Sequence, residues 1–231
     1  MNEVLRQEQK YLLTLPESAR LRAKLEAVMR PDAHNGALGY SIRSLYFDTP
    51  DEQDFYEKLD GLELRRKLRL RVYDPAADFA MLELKQKEGA MQRKRSLRMS
   101  RADAMRLIGG DLAVLQAYQE PFAAECYGLM ETRCYRPKTI VEYQRKAFVV
   151  HANNTRLTFD SAIVATESNF GLFEQHLALY PVLDPFHVVM ELKYNGFLFS
   201  YIKELTEEAD RTALSVSKYC LARSVGLHYS F

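Results

Sequence analysis

The chain of 231 residues lacks most of the groups on which familiar chemistries depend. Its three cysteines, Cys126, Cys134 and Cys220, follow no metal-ligand or disulfide spacing, which suits buried structural thiols in a reducing compartment. Its five histidines, His34, His151, His176, His187 and His228, form no ligand pattern, so histidine- and serine-based catalysis find no support. No Gly-rich P-loop is present. No stretch approaches the about 18 to 20 apolar residues of a membrane helix, and residues 1–15 carry charges early and no apolar core of a signal peptide. These absences predict a soluble, cytoplasmic protein, and they leave open a domain cut from a membrane protein. Net charge is +1, so an anion site has to come from local clustering and not from a global field. Pro and Gly are few and scattered, no linker or repeat stands out, and 47% of residues are hydrophobic. One domain spanning residues 1–231 is expected.

What is present is a set of strands. Runs over Leu5–Leu13, Tyr40–Asp48, Arg66–Tyr73, Phe79–Lys87, Gln92–Met99, Lys138–Val150, Arg156–Asp160 and Val188–Tyr194 read as β. Pro16–Met29, Ser100–Leu107, Leu112–Tyr118, Pro121–Met130, Phe199–Ala209 and Ser215–Ser224 read as helices, with a Ser cap at Ser100 and Pro at the start of two of them. Eight strands with helices at their edges predict an α+β fold around an antiparallel barrel. Asp74-Pro75 and Glu88-Gly89 break the middle strands into a meander.

Those strands carry stripes of charge. Side chains alternate faces with period two, so Lys67, Arg69 and Arg71 share a face while Leu68, Leu70 and Val72 share the other. Glu83, Lys85 and Lys87 likewise share a face. Arg93 and Arg95 share one, with Lys94 across from them, and the register of this strand is ambiguous by one residue. A solvated outer face is the ordinary explanation of polar alternation. It competes here with an anion-binding face, because like charges opposite each other are destabilising and Arg suits bidentate oxyanion recognition. A Glu-x-Lys pattern recurs at Glu8-Gln9-Lys10, Glu83-Leu84-Lys85 and Glu191-Leu192-Lys193. Cations in such stripes neutralise phosphate oxygens, and the glutamates suit a divalent cation that bridges phosphates. A nucleic-acid reader needs aromatic platforms beside its basic groups, whereas Tyr46, Phe47 and Phe148 read as core, so no nucleic-acid partner is expected.

In order along the chain, several short motifs resemble the VTC domain, the polyphosphate polymerase of the triphosphate tunnel metalloenzyme superfamily. They are Arg6-x-Glu8-x-Lys10-Tyr11, Ser44-Leu45-Tyr46-Phe47-Asp48-Thr49, Lys67-x-Arg69-x-Arg71, Glu83-x-Lys85 and Arg93-x-Arg95. Tyr143-x-Arg145-x-Ala147-Phe148, Arg156-Leu157-Thr158-Phe159-Asp160, Glu191-x-Lys193-Tyr194 and Ser217-Lys218-Tyr219 complete the set. The resemblance implies an eight-stranded antiparallel tunnel barrel with peripheral helices. It implies transfer of the γ-phosphoryl group of ATP to a growing polyphosphate chain with Mn²⁺ or Mg²⁺. It casts Lys10, Arg69, Arg71, Lys85, Arg93, Arg145, Arg156 and Lys218 as phosphate ligands, Arg95 and Lys193 as cofactor-binding residues, and Glu191 as metal ligand with Glu8 and Glu83 beside it. Arg6 replaces the first of two alternating glutamates that open the wider superfamily, which favours polymerase over hydrolase. The rivals are a triphosphatase in the same tunnel and a non-catalytic polyphosphate sensor. The sequence shows neither of the additional domains of eukaryotic relatives, and the domain is expected to work free in the cytosol or at the inner face of a membrane through a separate membrane protein.

Overall fold

The computed structural model describes residues 6–89, 91–207 and 217–227. The strands are β1 (Arg6–Thr14), β2 (Arg30–Pro31), β3 (Tyr40–Asp48), β4 (Leu64–Val72), β5 (Phe79–Glu88), β6 (Met91–Ser100), β7 (Arg136–Val150), β8 (Thr155–Thr166), β9 (Tyr180–Pro181) and β10 (His187–Asn195). The helices are α1 (Leu15–Val28), α2 (Gln53–Leu59), α3 (Arg101–Ile108), α4 (Pro121–Thr132), α5 (Ser200–Glu207) and α6 (Lys218–Leu227), with 3-10 turns at Leu112–Ala117 and Ala152–Asn154. All eight expected strands form, and the two additions are the two-residue β2 and β9. The expected helix ends at 208–209 and 215–216, like Leu5 and His228, lie outside the described residues.

The hydrogen-bonded order is β1-β10-β8-β7-β3-β4-β5-β6, with β2 on β7 and β9 on β8. This corrects the expected barrel. The sheet is ten-stranded and open, because among the described residues β1 and β6 end the order without pairing. Period-two alternation says which side chains share a face, but closure depends on hydrogen bonds at the two edges, about which it is silent. The meander β4-β5-β6 forms as expected, antiparallel throughout.

By contacts the chain divides into two compact units, and β3, β7 and β8 each contribute to both. The first unit takes its described residues from 1–41, 143–163 and 181–217. One face of its strands buries Leu13, Phe148, Leu157, Phe159, Met190 and Leu192 against Leu21 and Leu25 of α1 and Ile202 of α5. A capping box starts α1: the Thr14 hydroxyl accepts from the Glu17 N–H, and the Glu17 carboxylate accepts from the Thr14 N–H at 2.7 Å. Gly39 adopts φ +93°, and a Cβ there would meet the Arg145 carbonyl oxygen at 2.2 Å, so only glycine lets the chain pass this close to β7.

The second unit takes its residues from 42–142, 164–180 and 218–231 where described. The apolar face of its meander, Leu68, Leu70, Leu82, Leu84 and Leu97, is covered by Leu107 of α3, Leu112 and Leu115, and Ala123, Cys126 and Met130 of α4. Cys126 is the buried thiol that the sequence suggested, whereas Cys134 is exposed. Helix α2 has no local signal. Its N-cap Glu52 sits in the left-handed region with no side-chain cap bond. The cap comes instead from buried Asp48 at the end of β3, which accepts from the N–H groups of Asp54 at 2.9 Å and Phe55 at 3.0 Å.

Candidate active site

The face of the first unit opposite its core is polar. Register puts Lys193 opposite Glu8 and Glu191 opposite Lys10. On the other side of β10, Arg156 stands opposite Lys193 and Thr158 opposite Glu191. These three strands therefore turn their charged residues to one side and Leu13, Leu157, Phe159, Met190 and Leu192 to the other. The Lys193 ammonium lies 2.7 Å from Glu191 and 3.7 Å from Glu8, and Lys10 lies 3.2 Å from Glu8. Arg145 of β7 donates to both oxygens of Asp160, at 2.6 and 2.7 Å, and passes 3.9 Å from Glu191. Arg156 pairs with Asp32 at 2.8 Å and donates to the Tyr40 hydroxyl at 2.9 Å. Burial opposes the charge of Lys10, but Glu191, Glu8 and Asp160 outweigh it and raise its pKa. Burial likewise opposes Arg145, and Asp160, Tyr143 and Glu191 hold it well above the usual value.

The polar face of the second unit is more one-sided. Tyr46, Arg69, Glu83 and Ser96 form one row across β3, β4, β5 and β6. Lys67, Lys85 and Lys94 form the next row across three strands. Arg71 stands opposite Ser44 on the far side. Glu83, 4% exposed, accepts from Arg69 Nε at 2.8 Å, lies 3.8 Å from Arg71 Nε and pairs with Lys94. Burial alone would raise its pKa, but Arg69, Arg71 and Lys94 hold it down at about 2. Arg69 also donates to the Tyr46 hydroxyl at 3.0 Å. Lys218 opens α6.

Register resolves the ambiguity in β6. Arg93 stands opposite Gln86 and Arg95 opposite Leu84, whereas Lys94 stands opposite Lys85. Arg93 and Arg95 therefore face away from Glu83, and Lys94 joins it. Arg95 pairs with Glu125 of α4, donates to Gln86 and lies 5.1 Å from the Phe122 ring, so it fastens a helix to the sheet. Among the described residues the charged partners of Glu83 are the cations Arg69, Arg71 and Lys94, the surroundings of a counter-ion. Of the residues expected at the site, Lys10, Arg145, Arg156, Glu8, Glu191 and Lys193 come together in the first unit. Arg69, Arg71, Glu83 and Lys85 come together in the second. The sequence reading missed Lys94, Tyr46 and Asp160, each of which lies inside a quoted motif or one residue from it.

The end of β3 and the start of α2 bring together a buried acidic pair. Asp48 and Asp54 are both 0% exposed, and the Tyr135 hydroxyl donates to Asp54 at 2.9 Å. Burial first, then the charge of Asp48, pushes Asp54 up to about 8. The unfolded chain releases this proton near pH 4, so the folded state binds more protons between about 4 and about 8 and loses stability as pH rises through that window. Asp54→Asn is expected to flatten the slope. Between pH 6 and 8 it should lose about 2–3 kcal/mol less than the parent, read from urea midpoints at each pH. Equal slopes would show that Asp54 is ionised in the folded protein.

The sequence model of one family, described as VTC domain, matches residues 5–226. No curated protein matches the chain. Among solved structures, a candidate adenylate cyclase from Bacillus halodurans is 13% identical with a TM-score of 0.52, covering 92% of this chain and 95% of its own. A chain of the Schizosaccharomyces pombe Mediator head module is 7% identical with a TM-score of 0.51, covering 89% and 96%. These are likenesses of fold, and two such different proteins on one fold mean that chemistry has to be argued from the site. Among the described residues no helix is long and apolar enough to cross a membrane.

Proposed function

The chain belongs to the VTC-domain family, and from that premise we propose that it is a metal-dependent polyphosphate polymerase using ATP. The observation that carries this reading is the second polar face. Lys67, Lys85 and Lys94 stand directly opposite one another beside Arg69 and Arg71, and Glu83 is the acid among them. Rows of like charge across a sheet are unfavourable, and a polyanion laid along them removes the penalty.

The reaction needs alignment and charge neutralisation more than covalent help. An oxygen of the acceptor's terminal phosphate forms a bond to the γ-phosphorus. The bond from that phosphorus to the β–γ bridging oxygen breaks, and ADP leaves with the electron pair. The attacking oxygen is already ionised, so no protein nucleophile or general base is required. On the polar face of the second unit Arg69, Arg71, Lys85 and Lys94 are the cations for phosphates, and Lys218 belongs to the same unit; on the face of the first unit, taken by itself, Lys10, Arg145 and Arg156 are the cations.

Glu191 and Glu8 fit a hard divalent cation. Both already lie within reach of a single positive group, the Lys193 ammonium. The Thr158 hydroxyl opposite Glu191 is buried and has no hydrogen-bond partner among the described residues, leaving a polar atom to serve a ligand oxygen or water. Two carboxylates suffice for Mg²⁺ or Mn²⁺, which complete their shells with water and substrate phosphates. Glu191 and Glu8 would hold such an ion, which would supply positive charge to the substrate phosphates.

Incubation with ATP and Mn²⁺, followed by a gel stained for polyphosphate, tests the reading. A ladder of long chains is expected. Release of orthophosphate without chains would mean a triphosphatase, and tight binding of chains without turnover would mean a sensor.

A further inference from the structure

We infer that Tyr219 is a positioning residue that holds Arg69 in place through Tyr46. The inference rests on the phosphate-binding role proposed for Arg69. Tyr219 is the second residue of α6, and it is 1% exposed while most of that helix is half-buried. Its hydroxyl donates to Asp48 Oδ2 at 2.6 Å. The same carboxylate accepts from the N–H groups of Thr49, Asp54 and Phe55 at 2.7, 2.9 and 3.0 Å. Asp48 thus ties the end of β3, the start of α2 and α6 into one joint. Four residues on, Arg223 pairs with Glu52 and with Glu167, so α6 is fixed twice along one side.

The ring of Tyr219 stacks on Tyr46, with centroids 5.2 Å apart and planes 25° from parallel. It also meets Phe55 edge-on at 6.3 Å. Tyr46 is 5% exposed, and its hydroxyl accepts from Arg69 Nη1. Arg69 is therefore held on two sides: by Glu83, which fixes its charge, and by Tyr46, which fixes its plane. A tyrosine ring can slide or tilt unless something lies against its face, and here that something is Tyr219. The sequence Ser217-Lys218-Tyr219 accordingly does two jobs. Lys218 supplies a cation, and its neighbour stacks on the ring that aims another.

The geometry makes a specific division between ring and hydroxyl. Tyr219→Phe keeps the stack and drops the bond to Asp48. Tyr219→Leu loses the stack. Tyr46→Phe keeps its ring and removes only the acceptor for Arg69. For ATP turnover, Tyr219→Leu should lower kcat about tenfold with KM within about twofold, because a misaimed guanidinium is lost chiefly from the transition state. Tyr219→Phe should stay within about twofold of the parent. Tyr46→Phe and Tyr219→Leu act on one contact, so combining them should cost about tenfold and not a multiplied hundredfold.

A readout independent of turnover is the Nε–Hε resonance of Arg69 in ¹⁵N-labelled protein. It should shift and broaden in Tyr219→Leu and in Tyr46→Phe, and stay put in Tyr219→Phe. An unchanged resonance in folded Tyr219→Leu, or fully multiplicative kinetic effects, overturns the positioning role. If Tyr219→Leu fails to fold, Tyr219→Met, which keeps volume without a planar ring, carries the same test. Should the parent protein turn over no ATP, the polymerase reading fails, and the resonance still decides the role of Tyr219.

Discussion

Glu191→Gln should abolish polymer synthesis, lowering turnover about 10³-fold or more, while binding of tripolyphosphate stays within about threefold of the parent. The two halves of this expectation have different causes. Glu191 shares a polar face with Lys10, Lys193 and Arg145. Neutralising it removes a hard oxygen donor from the pair that suits a divalent ion, so the ion binds weakly and in the wrong place. The cations proposed to neutralise phosphates remain, with one less carboxylate to compete for them. Calorimetry with tripolyphosphate and a turnover assay across Mn²⁺ concentrations separate the two. A variant that keeps full activity would remove Glu191 from metal binding. A variant that loses chain binding together with activity would make the residue a structural partner of Lys10 and Arg145.

The sequence disclosed faces well and edges poorly. Alternation in Lys67-Leu68-Arg69-Leu70-Arg71 settled which side chains turn to the core, since one face has to be apolar to be buried. The same rule sorted Glu8 with Lys10, and Glu191 with Lys193, correctly. At β6 the triplet Arg93, Lys94 and Arg95 is all basic and marks no face by itself, but buried Leu97 and Met99 share the face of Arg93 and Arg95, so alternation carried through the strand selects Lys94, and the pairing with β5 agrees. Helix α2 was illegible for a different reason. Its seven residues are too few to show a helical period, and its cap is Asp48, four residues before its left-handed N-cap residue Glu52 and at the end of a strand. Whether the sheet closes was equally invisible, because closure is a property of two strand edges and not of any local pattern. The charge pairs were partly readable: the Glu-x-Lys strands announced mixed-sign faces, but the bidentate Arg145–Asp160 pair joins two strands, and no spacing within either strand announces it.

Glu83→Gln offers the second large effect, and it reads the proposed phosphate-binding face through stability. Glu83 is 4% exposed and its pKa is lowered from 4.5 to about 2. A depressed carboxylate contributes stability that is fully present above its unfolded pKa and lost as pH falls through the folded one. The size of the shift corresponds to about 3 kcal/mol at neutral pH. Removing the charge leaves Arg69, Arg71 and Lys94 gathered around a neutral amide. The variant should therefore melt about 6–12 °C below the parent at pH 7. A bound phosphate chain supplies the missing negative charge, so the stabilisation by ligand should be larger in the variant than in the parent. Differential scanning calorimetry with and without tripolyphosphate measures both. If the variant is destabilised yet tripolyphosphate raises its melting temperature no more than the parent's, the anion does not bind where Glu83 stood as counter-ion, and the assignment of Arg69 and Arg71 as phosphate ligands falls with it.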